Sequence, residues 1–176
     1  MNRRCFLGLS GLLASAPHAA RSESVFQQMF VRSSKTLSIG YCSDDSLAGQ
    51  VGNEIVNVLN NELPVSHARL SKVNTGSLAS QLGQSNVQTA LLNPNTVQDI
   101  AERKNGYEDL NAIDLYTLAM SGGCALVCRS NFPDRQAWQL ANALKGISES
   151  MPKLISVAMP PHPGSVAMLS GRRIPA

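Results

Sequence analysis

Residues 36–59 read TLSIGYCSDDSLAGQVGNEIVNVL, and the succession of residue types in this stretch decides the fold class. Thr36 to Tyr41 is a short run with an apolar centre that enters a turn of Cys, Ser and Asp, as a strand does. Asp45 or Ser46 can cap the helix that follows, and Asp44 and Asp45 suit its positive end. Leu47, Val51, Ile55, Val58 and Leu59 then recur at helical spacing, which gives that helix one apolar face until Pro64 stops it. A strand, a capped turn and an amphipathic helix make the first half of a β-α unit.

The unit repeats along the chain. His67 to Val73 alternates well enough for a strand, and Thr75-Gly76-Ser77 opens a short helix with Leu78 and Leu82 one turn apart. Val87 to Leu92 reads as a buried strand. It ends at Asn93-Pro94-Asn95, where Asn95 can cap a helix running to about Lys104. Asn111 to Ala119 and Cys124 to Arg129 are strand-like and separated by Ser121-Gly122-Gly123. Asn131 is the expected cap of a helix with Pro133 in its first turn, running to about Ser148 with Ala137, Leu140, Ala141 and Leu144 inward and Trp138 beside them. Ile155 to Met159 is a last apolar run. The order β-α-β-α-β-α-β-α predicts an α/β fold: a single three-layer lobe over residues 36–176 with a mostly parallel sheet. Ligands in such sheets sit beyond the carboxyl ends of the strands.

The chain of 176 residues, 43% hydrophobic and 15% charged, suits one ordinary core. Its net charge of +3 contains no Lys/Arg run of the kind that binds nucleic acid, so none is expected as a partner. Residues 1–22 read as an export signal: Arg3 and Arg4, then an apolar stretch from Phe6 to Ala16, then small residues at Ala16, Ala19 and Ala20. The stretch is too short to span a bilayer, which takes about 20 residues. The mature chain is therefore expected in the periplasm, with the secretory and twin-arginine routes both open. Of the cysteines that remain, Cys124 and Cys128 sit in one predicted strand about 13 Å apart, too far for a disulfide. Cys42 can pair with either if their strands are neighbours; three buried thiols is the alternative.

Three turns fall at the carboxyl ends of predicted strands and begin helices: Cys42 to Ser46, Thr75 to Ser77, and Asn93 to Asn95. Helix N-termini offer free N–H groups and a positive dipole end, and these side chains add neutral hydrogen bonds. Ser43, Ser46, Thr75, Gly76, Ser77, Asn93 and Asn95 are therefore the candidate ligand-binding residues, although each is also an ordinary helix cap. Asp44 and Asp45 are adjacent and make a poor acid/base pair. No Gly-x-Ser-x-Gly elbow, Walker-type loop or metal-ligand spacing occurs, so no catalytic residue, metal or cofactor is assigned.

The pattern resembles the TAXI-type periplasmic solute receptors that serve TRAP transporters. The resemblance is carried by Ser38 to Leu59, by the turn Val73-Asn74-Thr75-Gly76-Ser77, by Thr89 to Ala101, by Ala125 to Leu144, and most specifically by Pro160-Pro161-His162-Pro163-Gly164-Ser165. Family members are longer and close two lobes on a ligand, whereas this chain passes from a first-lobe pattern almost straight to a carboxyl-terminal one. Its first turn is also more acidic than the family's, which disfavours an anionic ligand there.

The resemblance implies a non-catalytic receptor that captures a small carboxylate or amino acid for a membrane permease. The competing expectation is a periplasmic accessory factor for an exported complex, in which the old ligand side has become a docking surface. A concave polar pocket beyond the strand ends would favour the first. A flat apolar patch above about 400 Å² would favour a protein partner or a homodimer. The His-Pro-Gly element is also open to a purely structural role, its prolines stiffening a turn that packs the tail.

Overall fold

A computed structural model describes residues 36–83, 87–108, 115–150, 155 and 158–173. The expected export signal over 1–22 lies outside them, as does the segment that links it to the lobe.

Five strands form one sheet in the order β2-β1-β3-β5-β4: β1 Ser38–Cys42, β2 Arg69–Val73, β3 Thr89–Leu92, β4 Leu115–Ser121 and β5 Cys124–Arg129. β1 pairs in parallel with both β2 and β3, while β5 runs antiparallel to both β3 and β4. Four strands thus point one way and β5 alone is reversed, because it follows β4 through a tight hairpin. Gly122 and Gly123 make that hairpin at φ 53° and 74°, the two positive values that a two-residue turn matched to strand twist requires.

The helices described in full are α1 Ser46–Glu62, α2 Thr75–Gly83, α3 Pro94–Glu102, α4 Asp134–Ala143 and α5 Pro163–Leu169, with a 3-10 turn at Pro64–Ser66. Strand alternation sends side chains to both faces of the sheet. Ile39, Leu91, Leu126 and Cys128 pack on one face with Val51, Ile55 and Leu59 of α1 and Ala137 and Leu140 of α4. Ala90, Leu92, Ala125 and Val127 pack on the other with Leu78 and Leu82 of α2 and Val97 of α3. The result is the expected three-layer single lobe. From β1 the chain crosses outward to β2, then returns over β1 to β3. The connections leaving β1 and β3 therefore depart to opposite faces, which is the topological switch point of the sheet.

Several boundaries differ from the sequence reading. Asn93, not Asn95, caps α3, since Pro94 occupies the first helical position and fixes where the helix begins. The helix α4 starts at Asp134 behind Pro133, without a side-chain cap from Asn131, and ends at Ala143 instead of near Ser148. Residues 163–169 are helical, where a stiff turn and a tail had been expected.

That last helix is docked by the His-Pro-Gly element. His162 is 1% exposed, accepts the Gly164 N–H at Nδ1 over 3.1 Å, and so carries its proton on Nε2, which donates to the Phe132 carbonyl over 2.9 Å. Tyr116 and Phe132 meet its ring edge-on. A Cβ at residue 164 would lie 2.0 Å from the Asp134 carbonyl oxygen, so only glycine lets α5 approach α4 this closely. The preceding residues run beside β4: the Thr117 N–H donates to the Pro160 carbonyl and the His162 N–H to the Thr117 carbonyl, both over 2.9 Å.

The three described cysteines are buried, and none of them forms a disulfide. Cys42 cannot reach the other two, because β3 lies between β1 and β5 and because Cys42 faces the second core while Cys124 and Cys128 face the first. Among the described residues no helix is long and apolar enough to cross a membrane.

Candidate functional site

The switch point brings the first turns of α1 and α3 together at the carboxyl-terminal rim of the sheet. Asp45 caps α1, its Oδ1 accepting the Ala48 N–H over 2.8 Å. Asn93 caps α3, its Oδ1 accepting the Thr96 N–H over 2.8 Å. The Asn93 amide then donates to the second carboxylate oxygen of Asp45. Two helix N-termini are thereby fixed side by side by one hydrogen-bonded pair.

Between them lies a shallow notch of about 320 Å³, lined by Asp44, Asp45, Ser46 and Leu47 of the first turn and by Asn93, Thr96 and Asp99 of α3, with Cys42 beneath. The Cys42 thiol contacts the Tyr107 hydroxyl at 3.7 Å, and burial pushes the Tyr107 hydroxyl well above its ordinary value. That hydroxyl therefore stays protonated and neutral. Asp99 accepts from the Asn105 amide over 2.9 Å. Among the described residues no basic side chain lines the notch.

The electrostatics oppose one another. Helix dipoles favour an anion here, yet three carboxylates stand within one small concavity, and a full charge outweighs the half-charge of a helix end. The notch as a whole suits a cationic group. An ammonium facing the aspartates, with any carboxylate turned toward the helix N-termini, meets both fields.

Of the seven candidate residues, Ser46 and Asn93 line the notch. Ser43 sits half-buried at the turn, its N–H donating to the Val73 carbonyl over 2.8 Å. Ser77 turns its hydroxyl back to the Asn74 carbonyl over 2.9 Å, as a local cap. Thr75 and Gly76 open α2, which follows β2 on the same rim. Asn95 is exposed on the first turn of α3. Sequence reasoning missed Thr96 and Asp99, which reach the site only because α3 begins at Pro94. The placement of the cap at Asn93 was the available signal.

A second feature of the same rim is Glu149. Its two carboxylate oxygens accept the N–H groups of Gly122 and Gly123 over 3.1 and 3.2 Å. Burial first, then the charges of Asp45 and Glu149, push the Cys124 thiol up to about 11. Among the described residues no group of three or more His, Cys, Asp or Glu side chains is arranged to hold a metal ion.

Comparison with protein-family models, with curated proteins and with solved structures found no match to this chain.

Proposed function

We propose that this is a non-catalytic periplasmic binding protein. The rim notch receives a small solute carrying an amino group, amino acids first, for delivery to a membrane permease of the kind the TAXI-like pattern implies. The observation that carries this reading is the pairing of two helix N-termini with Asp44, Asp45 and Asp99 in one notch at the switch point. A simple dicarboxylate fits that charge pattern poorly, so the amino acid is preferred within the expected ligand class.

The test is isothermal titration of the mature protein with a panel of amino acids, amines and dicarboxylates. The expected result is saturable binding of amino acids that Asp99→Asn and Asp44→Asn weaken, with dicarboxylates silent. Binding of dicarboxylates alone, or of nothing in the panel, overturns it.

One observation favours the second reading, an accessory factor that docks an exported protein. Leu47 is 47% exposed on the notch lining, and a shallow concavity buries a solute incompletely. Crosslinking from residue 47 in periplasmic extract, with Leu47→Lys as control, separates the two readings.

A further inference from the structure

A second cavity, of about 330 Å³, lies away from the notch between β4, α4 and α5. That volume falls within the range of small-ligand sites. Its wall is mostly apolar and includes Leu118 and Met120 of β4 and Met168 and Leu169 of α5, with Leu169 71% exposed where the cavity meets solvent.

Two polar groups stand out against that wall. Ser165 lines the cavity and is 1% exposed, yet its Oγ has no hydrogen-bond partner. The other buried or half-buried hydroxyls of the lining are engaged, Thr117 with the Met159 carbonyl and Ser148 with the Leu144 carbonyl, each over 2.9 Å. A buried hydroxyl without a partner is costly and uncommon, and a ligand oxygen would satisfy it. The second group is Lys145, which lines the mouth and is exposed. Among the described residues it enters no ion pair. Its acidic neighbour Glu149 lines the same cavity, with both carboxylate oxygens held by the Gly122 and Gly123 amides. One polar point is deep, the other is a cation at the mouth, and hydrocarbon lies between.

We propose that this cavity binds a medium-chain monocarboxylate carrying an oxo or hydroxyl group on its chain. The carboxylate meets Lys145, the chain packs on Leu118, Met120, Met168 and Leu169, and the chain oxygen pairs with the Ser165 hydroxyl. The site does not depend on the notch at the rim.

The test is isothermal titration with 3-hydroxyoctanoate, octanoate and octan-1-ol. The expected order of affinity is hydroxy acid, then acid, then alcohol. Ser165→Ala should fold normally, since its Oγ bonds to nothing, and should erase the preference for the hydroxy acid, about threefold to tenfold. Lys145→Glu, at an exposed position, should erase the preference for acid over alcohol, about twofold to fivefold. No saturable binding by any probe overturns the proposal. So does binding in which both variants, folded by circular dichroism, keep the wild-type order.

Discussion

The side-chain amide of Asn93 donates to the carboxylate of Asp45, and each of these two residues caps a different helix. The two caps therefore form one unit. Losing a helix cap costs about 1 kcal/mol, but here removal of either residue also takes away the other's partner. Asp45→Ala and Asn93→Ala are each expected to cost about 1–2 kcal/mol in urea denaturation. The double variant should cost less than their sum, by about 0.5 kcal/mol or more. Strict additivity would show that the two caps act independently.

His162 should make stability depend on pH. Burial lowers its pKa from the ordinary value, against weaker upward pulls from its bond to Phe132 and from Asp134, whose carboxylate lies 3.6 Å from Nδ1. Above pH of about 6.5 the ring is neutral in both folded and unfolded chains. As pH falls through that value the unfolded chain takes up a proton that the native ring resists, so stability declines until the lower native value is passed. The melting temperature should therefore drop as pH falls below about 6.5. His162→Gln should melt lower at neutral pH and lose that part of the slope. An equal slope in both proteins would mean that other groups set it.

Gly164→Ala tests how tightly α5 is docked. The new methyl would sit 2.0 Å from the Asp134 carbonyl oxygen and 3.0 Å from the Ala137 Cβ, so α4 and α5 must separate. The expected loss is about 3 kcal/mol, with Trp138 fluorescence reporting it, because the Trp138 indole N–H bonds to the Arg172 carbonyl beyond α5. Retained stability would show that the two helices part at little cost.

The cysteines should behave as buried apolar side chains. Burial raises the thiols of Cys124, to about 11, and of Cys128 further. At pH 8 iodoacetamide should leave Cys42, Cys124 and Cys128 unmodified in the native protein and label all three in denaturant, as mass spectrometry of the peptides would show. A reductant should leave the melting temperature unchanged. A shift would reveal a disulfide involving one of them.

Much of this architecture was legible in the sequence. The spacing of Val51, Ile55 and Leu59 announced α1, and all three are buried against the sheet. Gly122-Gly123 marked a break between two strands, and it proved to be a tight hairpin turn. What misled was local ambiguity: in Asn93-Pro94-Asn95 both asparagines suit a cap, and only the preference of proline for the first helical position selects Asn93. Helix α5 was missed because two prolines and a glycine read as a turn, although proline also suits a helix start. The third notch carboxylate, Asp99, follows from that same choice of Asn93 as cap, whereas the open hydroxyl of Ser165 depends on contacts between segments far apart in the chain and was beyond sequence reasoning.

The strip from Met159 to His162 bears on how the sheet edge is covered while the chain is being made. A sheet that is not closed into a barrel has two outermost strands whose free N–H and C=O groups can recruit another chain. On β2 the deterrent is local, the exposed charges of Arg69 and Lys72. On β4 the deterrent is remote: Thr117 is sealed by Pro160 and His162, and its hydroxyl by Met159, 42 residues later. A nascent or truncated chain lacking that strip therefore presents an unguarded strand beside a large apolar surface, and this is the interval in which it most needs a chaperone.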